Sequence, residues 1–233
     1  MTNNAAVVDP GQTCWELIEG AAAGQDQDRA EFVRRYGGIA RAYLTQRWKG
    51  SPLLQELDDA VQEVYVECFR ENGVLARAHP GHGGGFRAYY FGVIRNVGRR
   101  HEQQLKRRNL GHTPEGFDLT SLPSREEGLA RAFDRAWAKA IMRQAGEHLR
   151  ELAAAGDPEA AERIELLRLR FYQDMPIREI AGMWNADAAV LHRQYARARK
   201  EFEAALYDVV SWHHSGTPGE IRRESERLLA LLA

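Results

Sequence analysis

Cysteine is scarce in this chain. Only Cys14 and Cys68 occur in 233 residues, and no CxxC pair is present. That excludes a disulfide scaffold and a zinc finger, and it fits a reducing compartment. Net charge is nearly absent too: 32 Lys and Arg stand against 33 Asp and Glu, a formal −1. No global basic excess draws the molecule to nucleic acid, so any such binding must come from local patches. No apolar run approaches the ~20 residues of a membrane span, and residues 1–12 lack the basic start and apolar core of an export signal. The expectation is a cytoplasmic protein with no membrane partner. Catalytic signatures are missing as well. There is no HExxH, no GxGxxG and no nucleophile elbow, and Ser, His and Asp are scattered without triad context. The Gly-rich stretch AHPGHGGG, Ala78 to Gly85, lacks the Gly-Lys-Ser/Thr of a phosphate loop, and its His79 and His82 lack further ligands at metal spacing. We therefore expect no enzyme activity, no cofactor and no metal.

What is there is helix. An apolar fraction of 44% with 28% charged residues is ordinary for a soluble globular protein. Residues 1–12 read as a disordered tail. A short helix follows over 13–24, opened by a Thr13/Glu16 capping box, and a longer one over 27–48, with Gly37 and Gly38 as a point for a kink. Lys49 to Pro52 is a turn. The helix over 54–71 buries Leu54, Leu57, Val61, Val64, Tyr65, Cys68 and Phe69. Its other side is acidic, with Glu56, Asp58, Asp59, Glu63 and Glu67. That side reads either as plain solvated surface or as a docking face for a basic partner.

The stretch from Phe86 to Arg108 is the most informative. Phe86, Tyr90, Val93, Ile94 and Val97 recur at helical spacing, so one face suits a core. Seven Arg and Lys residues against Glu102 alone leave about +6 over the stretch. Its exposed charges suit phosphates, and its rings suit unstacked bases. Residues 111–124, rich in Pro, Gly, Ser and Thr, form a linker and the expected domain boundary. Helices follow over 125–154 and, capped by Asp157 with Pro158 in the first position, up to Tyr172. Pro176 to Trp184 is a short helix, Asn185-Ala186 a tight turn, and Asp187 the cap of a helix to about Leu206. Ile177, Ile180, Val190, Leu191, Tyr195 and Ala198 are expected between these two helices. Together they read as a helix-turn-helix whose second helix presents His192, Arg193, Arg197, Arg199 and Lys200. A last helix begins at a Thr217/Glu220 capping box. Its apolar stripe either folds back on the body or meets a partner.

Two of these segments resemble one family, the extracytoplasmic-function sigma factors of bacterial RNA polymerase, within the sigma-70 superfamily. LDDAVQEVYVECF (residues 57–69) resembles the Asp-Leu-Val-Gln-Glu-Val-Phe motif of region two, and FRAYYFGVIRN (residues 86–96) its Trp-Leu-x-x-Ile-Ala-Arg-Asn motif. The chain over 164–206 resembles region four. The resemblance implies an all-α fold of two helical domains: region two over 13–110 and region four over 125–212, joined by the linker 111–124, with a C-terminal extension over 213–233. It implies a factor that directs core RNA polymerase to promoters and assists melting of the −10 element. Asp58, Asp59, Gln62 and Glu63 would dock on the polymerase. Arg87, Tyr89, Tyr90, Arg95, Asn96, Arg99 and Arg100 would meet the −10 DNA, with Asn96 and the loop before Phe86 holding a flipped base. Ala188, Ala189, His192, Arg193 and Arg197 would read the −35 element. An anti-sigma factor or a regulatory kinase is an open further partner. The sequence departs from the family at Tyr89, where Trp is usual, at Arg100 for Asp, at Asn185 for Gly, and at Ala188 and Ala189 for Gly-Thr. The rival readings are a helix-turn-helix regulator acting on duplex DNA without polymerase, and a helical adaptor binding only proteins.

Overall fold

The structure, a computed structural model, describes residues 14–79, 85–109, 122–154, 159–214 and 216–232. Among these the fold is all-α, with nine α-helices, two short 3-10 helices and no strand. The expected N-terminal tail, the Thr13 cap, the loop 80–84, the linker up to residue 121 and the Asp157 cap lie outside the described residues. The chain divides into two compact units, one of Gln12–Ala140 with Trp212–Ala233, the other containing Ile141–Ser211.

The larger unit begins with α1 (Cys14–Ala22) and α2 (Asp26–Arg47). Helix α2 runs without a break in its helical assignment through Gly37 and Gly38. Gly37 serves a close approach: a methyl group there would come within 2.4 Å of the Tyr65 hydroxyl. Ser51 then caps the 3-10 turn Pro52–Glu56 by accepting from the Leu53 N–H at 3.3 Å. Helix α3 (Leu57–Phe69) buries Ala60, Val61, Val64 and Cys68, one face at helical spacing. It ends in a turn with Asn72 at φ 53°. Gly73 closes that turn, where a methyl would overlap the Arg70 and Glu67 carbonyls at 2.6 and 2.7 Å. Helix α4 (Gly85–Asn109) follows.

The core of this unit is aromatic. Phe32 and Tyr36 of α2 pack on Phe86 and Tyr90 of α4 at centroid distances of 5.0–6.0 Å where paired. The Tyr36 hydroxyl donates to Cys14 Sγ at 3.3 Å and lies 2.9 Å from His213 Nε2. Helix α5 (Leu122–Ala154) contributes its first part to the same core. Trp137 stacks on Tyr36 at 5.8 Å, and Phe133 meets Phe91 at 4.8 Å. Residues 125–140 thus group with the preceding helices, whereas the Pro/Gly-rich composition had placed the boundary before them. The physical reason is that Phe133 and Trp137 are buried to 2% exposure against rings of α2 and α4. The last helix, α9 (Pro218–Ala230), belongs to this unit too, with Ile221 and Leu228 buried and the Thr217/Glu220 capping box formed.

The smaller unit holds the rest of α5, α6 (Ala160–Tyr172), α7 (Ile177–Trp184) and most of α8 (Ala188–His213). Leu166, Leu169, Ile177, Ile180, Ala181 and Leu191 form its core. Val190, expected between the helices, is 39% exposed instead. Buried Arg163 is held by a two-bond clamp to Glu201 at 2.9 Å for each contact, which compensates its lost hydration. Helix α8 runs seven residues past its expected end at Leu206, to His213, because Val209 and Val210 extend the buried stripe of Ala205 and Leu206.

Candidate functional site

Helix α4 divides its side chains by facing. Phe86, Tyr90, Ile94 and Val97 are buried, as their spacing predicts. Asn96, Arg99, Lys106 and Arg107 are exposed, and none of these three cations forms an ion pair among the described residues. Arg95 stands one turn before Arg99 and is half-exposed, with Nη2 3.2 Å from both carboxylate oxygens of Glu126. This row of cations and an amide can engage consecutive phosphates without rearranging the core.

Four of the residues assigned to −10 DNA sit elsewhere. Tyr90 is fully buried, so it cannot stack on a base; its apolar position in the helix repeat outweighs its motif position. Tyr89 is half-buried and its hydroxyl donates to the Val74 carbonyl, anchoring the segment after α3. Arg87 donates to Asp134, with its guanidinium 6.0 Å over the Phe133 ring. Arg100 faces α3 and pairs with Glu63 at 2.8 Å and Glu67 at 3.0 Å.

On α3, Asp58, Asp59 and Gln62 are exposed. Asp58 pairs with exposed Arg41 at 2.5 Å, a contact worth about 0.2–1 kcal/mol in water and easily exchanged. The strip borders an open groove of about 540 Å³, lined by Val33, Gly37, Arg41, Asp58, Gln62 and Tyr65. Glu63 points the other way, toward α4. It accepts from Arg100 and lies 2.7 Å from His101 Nε2, while His101 Nδ1 lies 3.2 Å from Glu56. The His101 contact, assisted by Arg108, holds the Glu56 carboxyl below its ordinary pKa. Three of the five acidic residues of this face are thus paired with α4, and the outward acidic strip reduces to Asp58 and Asp59 with Gln62 beside them.

In the smaller unit the turn between α7 and α8 matches its sequence. Asn185 takes the left-handed conformation at φ 50°, and its N–H bonds back to the end of α7. The Asp187 carboxylate accepts from the N–H groups of Ala189 at 2.6 Å and Val190 at 3.2 Å. Ala188 is half-buried and packs on the core, so its methyl faces inward rather than toward a ligand. Ala189, His192 and Arg193 are exposed on the first turns of α8, followed by Arg197, Arg199 and Lys200. Arg197 shares Glu201 with buried Arg163, at 2.9 Å. Arg193 forms no ion pair among the described residues, which leaves its five-donor fork available.

Sequence reasoning missed the partners that α5 supplies, Glu126 and Asp134, because it placed α5 in another domain. It also missed Arg41 and His101. The only available signal for His101 was a lone imidazole on the inward face of a basic helix. Among the described residues no cluster of three or more His, Cys, Asp or Glu could hold a metal ion, and no helix is long and apolar enough to cross a membrane. No protein-family model matches the chain, and no curated protein matches it.

Proposed function

We propose that the chain is a sigma factor of the extracytoplasmic-function type, with region two in the larger unit and region four in the smaller. It binds core RNA polymerase, directs it to a class of promoters and assists opening of the −10 element. The polymerase performs the chemistry; this chain binds and positions. The observation that carries the reading is the pairing of two exposed basic surfaces, on α4 and on the second helix of a helix-turn-helix, with a separate acidic strip on α3. Asn96 and Arg99 serve the −10 region, and Ala189, His192, Arg193 and Arg197 serve the −35 region. Asp58, Asp59 and Gln62 serve the polymerase.

The rival regulator that works without polymerase uses the same helix-turn-helix but has no use for the acidic strip beside its groove. Association with core polymerase separates the two. The wild-type chain is expected to co-purify with core enzyme, and the D58R/D59R variant to lose that association while keeping its helical melting curve. Undiminished co-purification by the variant removes the strip from the account, and no association of the wild type removes the sigma reading.

A further inference from the structure

The first part of α5 meets α4 at two evenly spaced ion pairs. Glu126 and Asp134 are as far apart in sequence as Arg87 and Arg95, and each carboxylate meets one arginine, Glu126 with Arg95 and Asp134 with Arg87. The pairing order makes the two segments antiparallel. The two contacts differ in depth. Arg87 and Asp134 are 29% and 21% exposed, the Phe133 ring lies beneath the guanidinium, and Arg227 of α9 approaches Asp134 at 3.7 Å. Arg95 and Glu126 are 37% and 53% exposed and meet at 3.2 Å. Among the described residues, Arg95 is also the one member of the Arg95, Arg99, Lys106 row that an acidic side chain holds.

We propose that the first part of α5 is an internal competitor for nucleic acid: Glu126 holds Arg95 in the free protein and yields it to a backbone phosphate, while Asp134 keeps Arg87 as the fixed anchor of α5. The inference rests on the reading of α4 as a DNA-binding face. A carboxylate and a phosphate oxygen offer a guanidinium the same acceptor geometry, so one replaces the other without moving α4. An exposed pair is held weakly enough for that exchange, whereas the half-buried Arg87 pair is not. The Arg95 contact therefore lowers affinity for any stray polyanion while leaving the deeper anchor to hold the fold.

The test uses the full chain and a fluorescent single-stranded oligonucleotide, read by anisotropy at low salt. Glu126→Gln should bind about two- to five-fold tighter than wild type, the range an exposed ion pair corresponds to. Glu127→Gln makes the same change of net charge one residue away, at an exposed carboxylate without an ion pair among the described residues. It should gain less affinity over wild type than Glu126→Gln does. In an Arg95→Ala background, Glu126→Gln should add nothing beyond Glu127→Gln. Thermal melts check that each variant folds. Equal gains from Glu126→Gln and Glu127→Gln, or binding that Glu126→Gln leaves unchanged, overturn the competitor alone. Absence of oligonucleotide binding by every variant overturns the DNA-face reading together with it.

Discussion

Tyr90 shows two signals in competition at one residue. Its place in the 86, 90, 94, 97 repeat put it in a core, while its place in a motif put it on DNA. The structure buries it completely, with no partner for its hydroxyl among the described residues. Tyr90→Phe should therefore leave stability unchanged or raise it by up to about 1 kcal/mol, since no hydrogen bond is lost. DNA affinity should not change; urea melts and anisotropy check both. The two thiols follow from burial as well. Burial pushes Cys14 and Cys68 each up to about 12. Neither should react with a thiol reagent at pH 8 in the native state, and both should react once urea unfolds the chain. Glu31 sets an acid limit. Burial pushes its carboxyl up, but hydrogen bonds from Arg34 and Arg35 outweigh that and leave its pKa below the ordinary value. A depressed carboxyl contributes its stability above the ordinary glutamate pKa, about 4.3, and loses it as pH falls through the lower folded value. Stability should thus be insensitive to this group near neutrality and fall below about pH 4.3, and Glu31→Gln should flatten part of that acid limb in pH-dependent urea melts.

Several elements were legible from the caps that fall among the described residues. The α7–α8 turn, the Asp187 cap and the Thr217/Glu220 box all form where their residue types call for them. Asp187→Ala should cost the smaller unit about 1 kcal/mol, measured by urea unfolding. The C-terminal helix α9 carried an amphipathic stripe with two readings, and it takes the inward one: Leu228 is 1% exposed within the larger unit. Leu228→Ala should cost about 2–5 kcal/mol, and a loss near zero in the same measurement would detach α9 from that core. Less legible was α5. Its aromatic residues Phe133 and Trp137 sit on a regular repeat that any apolar face can receive, so sequence order alone assigned them to the segment that follows. Long-range partners such as Tyr36 and Phe91 leave no local trace. The same gap hid Glu126 and Asp134 as partners of the basic helix.

At the scale of the molecule, near-zero net charge hides a strong separation of charge. Part of it cancels internally: Glu56, Glu63 and Glu67 of the α3 side meet Arg100, His101 and Arg108 of α4. What remains outward is smaller and sharper than composition suggested. Asp58, Asp59 and Gln62 remain on one strip, and Asn96, Arg99, Lys106 and Arg107 on a second. His192 and Arg193 lead a third, on α8. A protein that only bound duplex DNA would need the third alone. One that only bound proteins would need neither of the basic surfaces. The most direct test of the account is transcription by purified core polymerase from a pool of promoter DNA, with and without this chain, followed by mapping of RNA 5′ ends. The account predicts RNAs that start at discrete positions only when the chain is present, and fewer of them with Asn96→Ala. Start sites that are identical with and without the chain would contradict it.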